Sequence, residues 1–463
     1  MVKNLCVNVK LWKIRRFNKL KNIYKSFFWL MVPMALKELI AAFINLLDSV
    51  MLGSFGGDVI AAVGIANQWF FLFSLVVFGV CGGAGVFASQ YWGARNYGRM
   101  RKVLGLNIIL VIMAAVIFVL PASLAPEAII RVFRKDAAVV EYGANYLRIA
   151  CFSYIFAGLT SAFDISLCCS EKANIPFISR LVGLFVNLVA NQLLIFGAGP
   201  IPAMGVEGAA IATIIARATE FLIILGAVYG KKLLQAATPK ELFSVPTDML
   251  GGYFKAAVPI IINESVWALG TTVYSWVYSQ ISTDATVIIT IVQNVERLLL
   301  VFFHGGGNAT GILVGKMIGG GEYDKAYSVS KRLCFMNTAF SLAISAVFIL
   351  ARPLVLIPYN ITPEVYSEAL KVLFLMACFM NIKALTFLFI VGIFRNGGDP
   401  KVAAAIDISS VWLVGVPLVC LSGLVLKLPI THIYLMMMVE ELVKLILSIW
   451  RFKSKKWIRN LVK

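Results

Sequence analysis

Ionisable and amide side chains stand inside stretches otherwise too apolar to meet water. The run from Val32 to Gly53 is long enough to cross a bilayer, yet it carries Lys37, Glu38, Asn45 and Asp48. Charged groups at membrane depth cost several kcal/mol unless they face protein or water, so they are read as functional by default. At about 1.5 Å per residue, Glu38 and Asp48 lie roughly 15 Å apart along a helix axis. Glu38, Asn45 and Ser49 fall on one stripe at helical spacing, with Asp48 beside it. A helix of that pattern is built to line something polar, as the wall of a transport cavity does.

Asp48 has no basic residue within a turn, whereas Asn187 and Asn191 stand one turn apart in another apolar run. A carboxylate with amide oxygens is a donor set for Na⁺ or a proton. The plainer reading of the asparagines is glue between helices. Glu38 and Glu264 would attract a cationic substrate if they face a cavity, or be neutralised by Lys37 or Lys383. Lys383 and Gln68 are further candidates for the cavity wall. Arg217 with Glu220, Lys371 with Glu368, and Lys444 with Glu440 and Glu441 can pair locally at helical spacing. Asp164 and Asp407 stand within about two turns of a span end and are expected to reach water. Of the adjacent Glu296 and Arg297, one could line the cavity.

No spacing among the cysteines resembles a metal site, and the phosphate-loop pattern G-x-x-x-x-G-K-[ST] is absent. The expectation is no catalysis, no cofactor and no metal beyond a possible Na⁺ at Asp48. His304, beside a glycine run, is read as structural.

The elements that must position these groups follow from composition. The chain has 463 residues, 60% of them hydrophobic and 14% charged, and its mean hydropathy is +0.87. Those values exclude the soluble globular classes and imply a polytopic helical membrane protein. Apolar periodicity places twelve spans near 27–52, 60–90, 103–125, 142–170, 174–198, 207–230, 255–281, 285–315, 333–357, 365–394, 402–424 and 430–451. Most of the 42 lysines and arginines fall on one set of alternating connections, together with both ends of the chain. By the positive-inside rule both termini are cytoplasmic in a plasma-membrane protein. The net charge of +19 is therefore a topological signal rather than a nucleic-acid surface.

The chain divides into a basic segment 1–26, an N-terminal lobe 27–238, a C-terminal lobe 239–451 and a basic tail 452–463. The first segment is expected to lie as a basic amphipathic stretch on the inner membrane face. The lobes repeat. Val32-Pro33 and Glu38 return as Val258-Pro259 and Glu264, displaced by 226 residues, and the same displacement carries Gly79, Gly85, Gly93 and Tyr97 to Gly305, Gly311, Gly319 and Tyr323. Six spans per repeat leave the two lobes parallel, about an axis along the membrane normal, with a site expected between them. The glycine runs near Gly82 and Gly305 interrupt spans 2 and 8 and permit close packing or bending.

Taken together, these pieces resemble the multidrug and toxic compound extrusion (MATE) family over essentially the whole chain. The resemblance rests on Pro33, on DSVMLG from Asp48 to Gly53 and on SQYWGARNY from Ser89 to Tyr97. It continues in NLVAN from Asn187 to Asn191 and GVEGAAIAT from Gly205 to Thr213. In the second lobe it rests on GKMIGGGEYDKA from Gly315 to Ala326, RNGGDP from Arg395 to Pro400 and IDISSVW from Ile406 to Trp412, followed by Pro417. It implies a MATE-type fold of two pseudo-symmetric six-helix lobes. It also implies an exporter that exchanges H⁺ or Na⁺ for bulky, often cationic organic compounds by alternating access. Asp48 matches the family's acid on span 1, Asn187 and Asn191 its partners on span 5, and Thr213 an oxygen ligand on span 6. Glu264 stands about a turn from the family's acid on span 7, and span 10 offers Lys383 and Ala384 instead. The N-terminal lobe alone is therefore expected to hold the coupling site. The partners expected are small organic molecules and the lipid bilayer, for a monomer. A lipid-linked oligosaccharide flippase, sharing the architecture, is the alternative and would need cations facing the cavity.

Overall fold

The computed structural model describes residues 2–463 apart from 201, 245 and 360, and for residues 2–22, 45, 46 and 49 it describes the backbone alone. The first half is built of α1 (Val2–Gly53), α2 (Gly57–Gly93), α3 (Tyr97–Leu124), a short α4 (Pro126–Phe133), α5 (Ala137–Ala150), α6 (Ser153–Cys169), α7 (Asn174–Ile195) and α8 (Gly205–Gly230). A five-residue α9 (Pro239–Phe243) sits in the polar connection. The second half holds α10 (Thr247–Ile281), α11 (Thr283–Gly319), α12 (Tyr323–Leu356), α13 (Pro363–Phe387), α14 (Pro400–Ser410), α15 (Val416–Cys420) and α16 (Ile430–Lys453). Wider π turns carry α13 on through Leu388–Arg395 and link α14 to α15 through Val411–Gly415. Polar side chains start these helices where the sequence leaves an apolar run. Asn96, Asp136, Ser282 and Thr362 each accept from a backbone N–H of the first turn that follows, and Thr238 and Glu241 form a reciprocal capping box.

Among the described residues ten helices are long and apolar enough to cross a membrane, and α5 with α6, bent by 48°, make an eleventh if they form one span. The twelfth expected span, α16, is too rich in charge for that count because of Glu440, Glu441 and Lys444, which pair with one another. The result is an all-α protein with six expected spans in each half. Two expectations change. The fourth span is broken at Cys151-Phe152 instead of running straight, and the glycine runs interrupt neither α2 nor α11, which continue unbroken to Gly93 and Gly319. The basic start is continuous with the first span as one helix, and its expected amphipathic face, through residue 22, lies outside the described side chains.

The glycines bring the halves together in reciprocal pairs. A Cβ on Gly79 would lie 2.8 Å from Ile261 Cα, and one on Gly305 would lie 2.7 Å from Ala35 Cβ; each pair maps onto the other by the 226-residue repeat. Likewise Gly93 meets the Lys316 carbonyl, and its repeat mate Gly319 meets the Gln90 carbonyl. The Gly79 and Gly305 contacts fall about midway along α2 and α11, and the Gly93 and Gly319 contacts at the end on which the C-terminal tail packs. There both halves share one core, including Phe27, Phe87, Tyr253, Leu313 and Phe394. At the opposite end the cores are separate, around Phe73 and Tyr154 in the first half and around Val292 and Tyr434 in the second. The halves are thus joined at one end and parted at the other, by a cleft that opens away from the termini.

Candidate functional site

Asp48 lies in the last turns of α1, where that helix packs on α7. Asn191 donates from Nδ2 to Asp48 Oδ1 at 2.6 Å and to Asn187 Oδ1 at 3.3 Å. Both asparagines are buried, and among the described residues neither Asn191 Oδ1 nor Asn187 Nδ2 has a partner. Thr213 on α8 shares a small cavity with Asp48, beside Asn67, Tyr146 and Arg217. Its hydroxyl donates to the Ala209 carbonyl at 3.0 Å, leaving oxygen lone pairs free for the cavity. A carboxylate, amide oxygens and a hydroxyl around a small space can take a proton, or a hard cation that prefers oxygen. The structure therefore brings together Asp48, Asn187, Asn191 and Thr213. Asn45 and Ser49, also predicted for this wall, have side chains outside the described residues.

Two groups of ionic contacts follow, one on this cavity and one nearer the start of α1. Arg217 and Glu220 line the cavity and pair at 3.3 Å, and Arg180 reaches the same Glu220 oxygen at 2.8 Å. Further along, Lys37 bridges Asp164 at 3.3 Å and Glu38 at 3.8 Å. Gly183 makes room for the Glu220 carboxylate, which is 1% exposed. Asp164 was expected to reach water. It is buried instead, because Lys37 on the facing helix offers it a charge partner.

Glu38 stands three residues beyond Ala35, one turn past the contact of α1 with α11, and its side chain is 45% exposed. Glu264 occupies the repeat position on α10, but its carboxylate turns to Arg395 at 2.6 Å, within its own half. The pair is not equivalent, because only the second half supplies a buried guanidinium there. Lys383, expected to face the cavity, is paired with Glu296 inside the second half and does not neutralise Glu38. That pairing also settles which of two adjacent residues turns inward: Glu296 does, and Arg297 is exposed. Asp407, expected to reach water, is buried against Lys444 at 2.8 Å. Gln68 is exposed; its neighbour Asn67 is the one on the Asp48 cavity, a residue that sequence reasoning passed over. Tyr146 was missed for the same reason: neutral polar groups in apolar helices give no charge signal.

The MatE family model matches residues 33–193 and 259–421. The chain is 24% identical over 442 residues to the uncharacterized transporter YisQ of Bacillus subtilis, covering 94% of this chain and 95% of that one. It is 22% identical over 445 residues to the probable multidrug resistance protein NorM of Thermotoga maritima, covering 95% and 94%. Its fold superposes on an outward-facing structure of a multidrug resistance MATE family transporter of the MOP superfamily with a TM-score of 0.85. Identity there is 18%, over 94% of this chain and 97% of that one.

Proposed function

This chain belongs to the MatE family of multidrug transporters, and on that premise we propose that it is a secondary active exporter exchanging H⁺ or Na⁺ for bulky organic cations. The observation that carries the reading is the half-buried Asp48 carboxylate, 2.6 Å from Asn191 and set among Asn187 and Thr213 in one cavity. An ion matters to transport only if it binds two conformations differently. An ionised Asp48 holds α1, α7 and α8 around a charge that burial disfavours. A proton or Na⁺ removes that cost and lets the three helices close on one another. The ion pairs of Glu220 with Arg180 and of Asp164 with Lys37 lie on the helices between Asp48 and Glu38, and they offer that repacking a route to the cleft floor. Substrate and coupling ion then weaken one another by the same factor, because linkage is reciprocal.

Glu38 favours cationic substrates. A flippase for lipid-linked oligosaccharides would need cations at the cleft, and Lys383 is already neutralised by Glu296. The charge asymmetry of the connections supports a plasma-membrane protein with both termini in the cytoplasm, so the cleft faces outward. The moving units are the lobes 27–238 and 239–451. Since one chain supplies both walls, a monomer suffices.

The test is transport in proteoliposomes under separately imposed pH and Na⁺ gradients. Wild type is expected to export a cationic dye against at least one gradient, and Asp48→Asn to lose at least tenfold in driven rate. Driven export that survives Asp48→Asn unchanged would overturn the assignment of Asp48, and no response to either gradient would overturn ion coupling.

A further inference from the structure

In the second half two buried carboxylates, Asp407 and Glu440, and a half-buried one, Glu441, surround a single ammonium, and the internal repeat places the cluster where the first half holds Asp48. Displaced by 226 or 227 residues, Asp48, Thr213 and Arg217 become Tyr274, Glu440 and Lys444. These three also meet: Tyr274 donates its hydroxyl to Glu440, and Lys444 reaches the other Glu440 oxygen at 3.0 Å. Lys444 Nζ stands 2.8 Å from Asp407 and 3.3 Å from Glu441 as well, with its own side chain 5% exposed.

The charges facing this cluster do not cancel. From α11 comes Glu296, already matched by Lys383 of α13, and from the end of α13 comes Arg395, matched by Glu264 of α10. Tyr274 and Tyr278 of α10 and Tyr434 of α16 add only neutral hydroxyls. Three carboxylates against one ammonium leave two negative charges in excess, in a site largely shielded from water at membrane depth. A second observation identifies what is missing. Asn263, 1% exposed, donates from Nδ2 to Asp407 Oδ2 at 3.0 Å, while its Oδ1 has no partner among the described residues. A protonated Asp407 needs an acceptor for its O–H, and a half-turn of the Asn263 amide supplies one.

We propose that the second half holds its own proton-binding site, with the proton on Asp407 and the Lys444 cluster as its counter-charge. The step forms one O–H bond on Asp407 Oδ2 at the expense of a hydronium ion from the cleft, and its reversal returns the proton. Asn263 is the neighbour in sequence of Glu264, whose pair with Arg395 stands near the cleft floor, so the state of Asp407 is felt there. This goes beyond the Asp48 reading and departs from the expectation that the N-terminal lobe alone binds an ion.

Infrared difference spectra against pH test it, on the full chain in liposomes with no drug or gradient. Asp48→Asn is expected to keep a titrating protonated-carboxyl band, and adding Asp407→Asn to remove it. Asp48→Asn with Asn263→Ala should keep the band but shift its C=O frequency, because the O–H has lost its acceptor. That variant leaves every charge in place, so it answers even where Asp407→Asn fails to fold. The proposal is overturned if Asp48→Asn alone erases every titrating carboxyl band, or if the remaining band is indifferent to both Asp407→Asn and Asn263→Ala. Because no transport is measured, the outcome is independent of whether the chain exports drugs.

Discussion

At the scale of the residue, Glu38 and Glu264 separate what a matched position implies from what a partner allows. Glu38 is 45% exposed and its contact with Lys37 is 3.8 Å, so Glu38→Gln should change stability by no more than about 0.5 kcal/mol. What it should lose is affinity for cationic substrates and not for neutral ones, which a paired binding titration with one compound of each kind would check. Glu264→Gln is expected to do the reverse. It strands Arg395, whose side chain is 5% exposed, and removing one partner of a buried pair costs about 3–5 kcal/mol. A fall in thermal stability, measured alongside Glu38→Gln, decides between them. Asp48 and the asparagines of α7 were legible in the sequence because a charge or amide at membrane depth is rare in itself. The pairs Glu264 with Arg395, Asp164 with Lys37 and Lys383 with Glu296 were not, because their partners lie 131, 127 and 87 residues away. Local spacing finds i,i+4 pairs such as Lys444 with Glu440 and is blind to those made by packing.

At the scale of the element, the glycines of α2 and α11 act through what they admit rather than through bending. Gly83 lies on the contact between the halves, where an added Cβ would sit 2.9 Å from Ala257 Cα. Gly64, on the same helix, has nothing within 4 Å of an added Cβ. Gly83→Val should therefore leave each half folded but hold their joined end apart, while Gly64→Ala should be silent or slightly stabilising, since alanine favours helix by about 1 kcal/mol. Labelling of a cysteine placed in the joined end by a thiol reagent would report it. Faster labelling is expected in Gly83→Val only, and equal rates in the two variants would show that the contact does not hold the cleft in its present state. The glycine positions themselves were legible as a repeat. That they face the other half was not, since periodicity locates a face of a helix without saying what covers it. The break between α5 and α6 was hidden for a related reason: Cys151-Phe152 contains neither proline nor glycine to mark it.

At the scale of the molecule, two six-span halves and their parallel repeat were legible from the 226-residue displacement and the side on which the lysines and arginines fall. Which end of the cleft is closed was not, and the closure draws on a segment that sequence analysis treated only as a basic tail. After α16 the chain turns back beneath the joined end, burying Trp457 completely. Arg459 pairs with Asp399 at 3.1 Å and donates its backbone N–H to Gly397 at 2.8 Å, while Asn460 donates to the Ile318 carbonyl at 3.1 Å, so the tail is anchored on the second half. Its one polar reach into the first half, among the described residues, is to Gln90, a fully buried side chain at the end of α2. Gln90 accepts from the Leu461 N–H at 2.8 Å and donates to the carbonyls of Arg459 and Asn396 at 3.2 Å each. These bonds exist only while the joined end is closed, so they bias the equilibrium between conformations without being needed to fold either half. At about 1 kcal/mol net per buried hydrogen bond, losing two or three of them shifts that equilibrium by roughly 30- to 150-fold. The expected consequence of Gln90→Ala, or of removing residues 457–463, is a larger population with the joined end parted. Spin labels on the repeat mates Gly98 and Asp324, in a background without reactive cysteines, would measure it as a longer distance component absent from wild type. The point variant keeps the tail and its anchors, so it answers even where the truncation is unstable. An unchanged distance distribution in Gln90→Ala would mean that glycine packing alone closes this end.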